Sequence, residues 1–147
     1  MIFIPQTLVH DIEVHGEQTF PEECCGALIG TRLNQDRHVQ KLIPFHNVQD
    51  VNRERRFLIA PDQYLEAEKA ARSENFNLLG FYHSHPNHPA RPSEFDREHA
   101  LPWFVTIIVS VIDGRSDGLA AWELSEDRAH FREVAIRRED VRIRVES

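Results

Sequence analysis

Residues 77–85, NLLGFYHSH, alternate in a way that predicts a β-strand. Leu79, Phe81, His83 and His85 fall on one face, and Leu78, Gly80, Tyr82 and Ser84 on the other, because successive strand side chains point to opposite sides. Pro86 follows at once. A residue before proline is pushed out of the helical region, so the extended geometry reaches His85 itself. Pro86, Pro89 and Pro92 then stiffen the connection to Ser93.

Other elements are placed around this strand. Ile4, Leu8 and Ile12 stand four apart, which predicts a helix over residues 5–18, weakened by Gly16 and closed by Pro21. Residues 24–31 (CCGALIGT) and 37–46 (RHVQKLIPFH) read as strands. Phe57, Leu58 and Ile59 form a short strand after the polar turn at Gln49–Asn52. Pro61 suits the first turn of a helix over 61–74, in which Glu68 and Arg72 stand at i,i+4. A short helix follows Ser93 and ends near Pro102. Then come an apolar strand over 104–112 (FVTIIVSVI), a turn at Asp113–Gly118, and strands over 119–125 and 129–137. Strands outnumber helices and the two are mixed, so the fold class is α+β or α/β with a central mixed sheet. No repeat, low-complexity stretch or linker interrupts residues 1–147, which read as one domain; a chain of this length buries roughly 70% of its unfolded surface.

A formal charge of −7 argues against a nucleic-acid partner and against adhesion to anionic membranes. No apolar run is long enough to span a bilayer, and the start MIFIPQTLVH has neither a basic n-region nor a long apolar core. The two cysteines, Cys24 and Cys25, are adjacent, and neighbours rarely pair, so they read as free, buried thiols in a reducing cytoplasm.

Two imidazoles at i and i+2 of a strand lie about 6.6 Å apart and point the same way. They can therefore converge on one metal at bonds of about 2.0–2.1 Å, whereas the bland alternative is a polar strand end. A catalytic zinc wants a third protein ligand and one open position. Asp96 is the natural candidate, with His88 and His99 as rivals. His10, His15, His38, His46 and His130 have no partner spacing and read as surface residues. Ser93-Glu94-Phe95-Asp96 is by itself a helix-capping box. That reading is compatible with a second one, in which a carboxylate oxygen of Asp96 reaches a metal and the Ser93 hydroxyl faces a developing oxyanion. Water activated at a metal also needs a general base that is not a ligand. Glu22 and Glu23, at the entrance of the small apolar strand, are candidates, although an exposed acidic pair in a loop would look the same.

Taken together, Glu23, His83-Ser84-His85, seven residues, Ser93, two residues and Asp96 resemble the motif of the JAMM (MPN+, or Mov34/MPN/PAD-1) metalloproteases. PEECCGALIG resembles the segment around that family's catalytic glutamate, RRFLIAP the strand before its second helix in bacterial members, and VTIIVSV the strand after the motif helix. The resemblance covers nearly the full chain. It implies a cytidine-deaminase-like fold, a curved mixed sheet flanked by helices. It also implies one zinc ion held by His83, His85 and Asp96, Glu23 as general base, and Ser93 steadying the oxyanion. The implied activity is hydrolysis of a peptide or isopeptide bond after the C-terminal Gly-Gly of a ubiquitin-like protein. The short chain is more similar to bacterial forms acting on a ubiquitin-like sulfur carrier.

Other classes fit less well. A zinc deaminase would show H-x-E and P-C-x-x-C, and both cysteines lie upstream and adjacent instead. Two histidines and a carboxylate also suit mononuclear iron. A metal-free MPN scaffold would lack motif residues that are all present here.

Overall fold

The computed structural model describes residues 1–45 and 59–140. Its first element is a strand, β1 (Ile2–Pro5), followed directly by helix α1 (Gln6–Thr19). Ile4 therefore does not belong to the helix face expected from its spacing with Leu8 and Ile12. Ile2 and Ile4 are buried from the strand, and the helix buries Val9, Ile12 and Gly16. Gly16 is a point of close approach rather than a weakness, since a Cβ there would lie 3.0 Å from a Val111 methyl.

Strands β2 (Cys25–Leu33) and β3 (Asp36–Phe45) form an antiparallel hairpin, and helix α2 (Pro61–Ser73) begins at the expected proline. His46, the turn at 49–52 and Phe57 and Leu58 of the short expected strand lie outside the described residues. Strand β4 (Asn77–Pro86), helix α3 (Glu94–His99) and strand β5 (Val105–Ile112) make a parallel crossover. Strand β6 (Arg115–Leu124) starts earlier than the sequence suggests, because the turn is only Asp113-Gly114, both at positive φ. The expected strand over 129–137 is two strands, β7 (Phe131–Val134) and β8 (Ile136–Glu139).

That division has a topological cause. The sheet order is β7-β6-β5-β4-β2-β3-β1-β8, so two strands separated by one residue occupy opposite edges. The sheet can accommodate this only by curling until its edges approach. The Ala135 carbonyl, between the two strands, accepts a hydrogen bond from the Ile2 N–H at 2.9 Å. Arg37 on β3 reaches Glu123 on β6 at 3.4 Å. Parallel pairing at β4–β5, β1–β3 and β1–β8 makes the sheet mixed.

Two apolar clusters lie on the two faces. One packs Val9 and Ile12 of α1 against Ile2, Ile4, Tyr82, Ile107 and Val109. The other packs Ala67 and Ala71 of α2 against Cys25, Ala27, Ile29, Leu78 and Phe104. The β4 alternation is broken once, where the β2–β4 register shifts between Leu28 and Ile29 and leaves Leu79 as an extra residue. Leu79 consequently packs with Tyr82, and Leu78 with the Phe81 cluster, reversing the faces expected for these two leucines. No described helix is long and apolar enough to cross a membrane.

Candidate metal centre

β4 ends on the face covered by α2 and α3, and His83 and His85 are both buried there. Across the sheet, Cys25 lies opposite His83, and the Cys24–Ser84 pair extends the register one step further. The Ser84 N–H donates to the Cys24 carbonyl at 3.1 Å, and the Cys24 N–H donates to Ser84 Oγ at 2.8 Å. The serine between the two histidines thus fastens the segment that carries Glu23. Glu23 is 3% exposed. It lines a cleft with His85, Ser93 and Phe95, whereas Glu22 is only half-buried and does not line it. Of the two acids offered by the sequence, this one shares the cleft with His85.

α3 supplies the third group. Ser93 has extended backbone as its N-cap and accepts the Asp96 N–H at 3.1 Å, while its own N–H donates to Asp96 Oδ2 at 2.8 Å. The capping box expected from the sequence is present, and it fixes the direction of the carboxylate. Asp96 Oδ1 lies 3.2 Å from His83 Nε2, Asp96 Oδ2 lies 3.1 Å from His85 Nε2, and the two Nε2 atoms are 3.2 Å apart. A tetrahedral ion with bonds of about 2.0–2.1 Å separates its ligand atoms by about 3.3 Å. The three side chains therefore fit a small divalent cation. His85 Nδ1 lies 2.9 Å from the Pro89 carbonyl, which can only accept, so Nδ1 carries the proton and Nε2 offers its lone pair inward.

Electrostatics act on His83 and Asp96. Burial pushes His83 toward its neutral form, against the pull of Asp96. Burial alone would raise the Asp96 carboxyl, yet the facing His83 and His85 hold it well below the usual carboxylate range. Neutral imidazole and ionised carboxylate are the forms that bind metal. Among the described residues, these three form the one group able to hold a metal ion.

The rival histidines stand apart. His88 is exposed on the rim of the cleft, its carbonyl taken by the Ser110 hydroxyl. His99 is exposed, stacked on Phe95, with Nδ1 2.8 Å from the Phe95 carbonyl. Two histidines expected on the surface take part in packing: half-buried His15 bonds the buried Tyr82 hydroxyl at 2.8 Å, and His38 stacks on Phe3. Cys24 and Cys25 are free and buried, on opposite faces of the sheet, and burial pushes their thiols up to about 11 and about 12. Neither is poised as a nucleophile.

The ligand cluster lies between two hollows. On one side is the cleft with Glu23, His85 and Ser93. On the other, Tyr64, Phe81, Phe95, Leu101 and Phe104 surround an apolar cavity whose wall includes His83 and Asp96. Ser93 is exposed and lines the cleft beside Glu23 and His85. Sequence reasoning did not find the hold on α3 from the far side: Arg128, in the β6–β7 connection, donates to the carbonyls of Arg97, Glu98 and Ala100. No motif marks that arginine.

Known proteins share this arrangement of the chain. The model of a family described as prokaryotic homologs of the JAB domain matches residues 5–125. The chain is 32% identical over 114 residues to a probable TtuB-protein conjugate cleaving protease of Thermus thermophilus, spanning 78% of this chain and 72% of that protein. It is 34% identical over 119 residues to a desampylase of Haloferax volcanii, spanning 79% and 78% respectively. A solution structure of a protein from Desulfitobacterium hafniense matches with a TM-score of 0.84 at 29% identity, covering 96% of this chain and 94% of that one. A JAB1/MPN domain protein from Archaeoglobus fulgidus shares the fold with a TM-score of 0.58 at 20% identity, covering 97% and 98%.

Proposed function

The chain belongs to the family of prokaryotic JAB-domain homologues and is a hydrolase, and from that premise we propose that it is a zinc-dependent isopeptidase. Its proposed substrate is a bond after the C-terminal Gly-Gly of a ubiquitin-like protein of the sulfur-carrier type. The observation that carries the reading is the convergence of His83, His85 and Asp96 beside a cleft that also holds Glu23 and Ser93. The names of the two curated relatives, one a conjugate-cleaving protease and one a desampylase, support cleavage of protein conjugates here.

One zinc ion would be held by His83, His85 and Asp96, where it would supply Lewis acidity to a water and to the scissile carbonyl. Glu23, buried at the cleft and outside the ligand set, takes the proton from the attacking water. As the C–N bond breaks, Glu23 returns that proton to the departing amine. The Ser93 hydroxyl accepts from the Asp96 N–H, so its own O–H proton is available to the oxygen on which negative charge develops. Pro89 and Pro92 wall the cleft, and a Gly-Gly tail without side chains suits the approach to such a site.

Metal analysis tests the ligand set. The purified protein should hold one equivalent of zinc, and the folded His83→Ala/His85→Ala variant none. Zinc retained by that variant, or zinc lost only when His88 or His99 is changed, would overturn the assignment.

A further inference from the structure

The element that carries Asp96 is a helix of six residues, too short to be stable alone. Its order must come from anchors outside itself. At its start the anchor is the capping box already described. At its end, where the last helical carbonyls have no partner within the helix, a single side chain supplies the donors. Arg128 Nη1 donates to the Ala100 carbonyl at 2.7 Å, and its Nη2 donates to the carbonyls of Arg97 at 3.1 Å and Glu98 at 3.0 Å. The clasp is reciprocal, since Arg97 Nη1 donates to the Arg128 carbonyl at 2.9 Å.

The connection presenting Arg128 is itself built. Ser125 and His130 close it, with the Ser125 N–H donating to the His130 carbonyl at 2.9 Å and the Arg128 N–H donating to the Ser125 carbonyl at 2.9 Å. Asp127 Oδ1 accepts from the Ser125 hydroxyl at 2.6 Å and from the Ala129 N–H at 3.0 Å. Arg128 sits at φ 61°, a left-handed conformation unfavourable for a side chain with a Cβ. A turn that needed only this backbone would be better served by glycine, and the guanidinium with its three hydrogen bonds is what arginine adds here.

We propose that Arg128 is a positioning residue for the metal centre, holding α3 so that Asp96 meets His83 and His85. It touches neither the ligand atoms nor the cleft, and it acts through the helix. The inference rests on the reading of these three residues as metal ligands, and not on the identity of the substrate.

The test is zinc affinity, measured by competition with a chromogenic chelator on Arg128→Ala, Arg128→Gly and Arg128→Lys, together with amide hydrogen exchange of the metal-free proteins. Loss of partners that orient metal ligands costs about 10–100-fold in affinity. Arg128→Ala and Arg128→Gly should both bind zinc about 10–100-fold more weakly, with faster exchange confined to residues 93–100. The glycine variant matters because it removes the backbone penalty and leaves only the lost clasp. Arg128→Lys, with one donor group in place of a fork, should recover part of the affinity. Wild-type zinc affinity in the folded alanine and glycine variants would overturn the proposal. So would weaker binding accompanied by faster exchange throughout the sheet, the sign of a general loss of stability. If even the wild type bound no zinc, it is the metal assignment beneath the proposal that would fail.

Discussion

The Ser93 hydroxyl caps α3 and, in the proposed mechanism, also donates to the oxyanion, so Ser93→Ala removes both roles. As N-cap, its Oγ accepts the Asp96 N–H at 3.1 Å, and losing such a cap costs about 1 kcal/mol. In a protein of this length that lowers Tm by roughly 2–4 °C. As oxyanion donor, the hydroxyl is worth about 10²–10³ in kcat, or about 2.7–4 kcal/mol of transition-state stabilisation. The bond from the Ser93 N–H to Asp96 Oδ2 is made by the backbone and survives the change, so the carboxylate keeps its direction and zinc should stay bound. Ser93→Gly separates the roles, because glycine at an N-cap costs only a few tenths of a kcal/mol. Thermal unfolding of the metal-free variants reads the cap. Single-turnover cleavage of a carrier bearing a C-terminal extension reads the oxyanion. The glycine variant should be nearly as stable as wild type and yet as slow as the alanine variant. A folded, zinc-loaded glycine variant with wild-type rate would leave the serine only its structural role.

Glu23→Gln should bind one equivalent of zinc, keep its fold, and lose about 10²–10⁴ in rate, the usual share of a general base; metal analysis beside single-turnover kinetics checks both halves. The buried thiols predict an alkaline limit to stability. Cys24 and Cys25 have folded-state values near 11 and 12 against about 9 for an ordinary thiol. Between those values the unfolded chain releases protons that the folded chain keeps, so stability is full below about pH 9 and falls as pH rises through 11. Denaturant melts from pH 8 to 11 should show that decline, and Cys24→Ala/Cys25→Ala should flatten it; unchanged slopes would contradict the burial of these side chains.

The centre was legible because its geometry is local. A two-residue strand spacing aims His83 and His85 the same way, and Ser93-x-x-Asp96 marks both a cap and the third group, so short-range rules reach all of it. Asp96 is preferred to His88 and His99 from the sequence, and the fold adds the physical reason, since the cap turns its carboxylate inward while both histidines are exposed. Glu22 and Glu23 are both candidates from their place before the strand, and the resemblance alone selects Glu23; its burial beside His85 follows from the antiparallel register of β2 and β4. What the sequence concealed is non-local. Ile4 satisfies a helical spacing with Leu8 and Ile12 and a strand spacing with Ile2 equally, and the pairing of β1 with β3 and β8 decides between them. The division of 129–137 at Ala135 is a consequence of sheet closure, which no window of neighbouring residues records. The bulge at Leu79 reversed two leucines without touching the histidines, because the alternation is regular again from Phe81 onward. Arg128 is 32 residues from Asp96 and belongs to no pattern.

The most direct measurement is the intact mass of a ubiquitin-like carrier joined through its C-terminal Gly-Gly to a lysine of a second protein, after incubation with the zinc-loaded chain. Two products are expected, the carrier ending at its second glycine and the partner with a free lysine amine, and neither with Glu23→Gln or after chelation of the metal. A conjugate left intact by the zinc-loaded protein, or cut equally well by Glu23→Gln, would contradict the proposed activity.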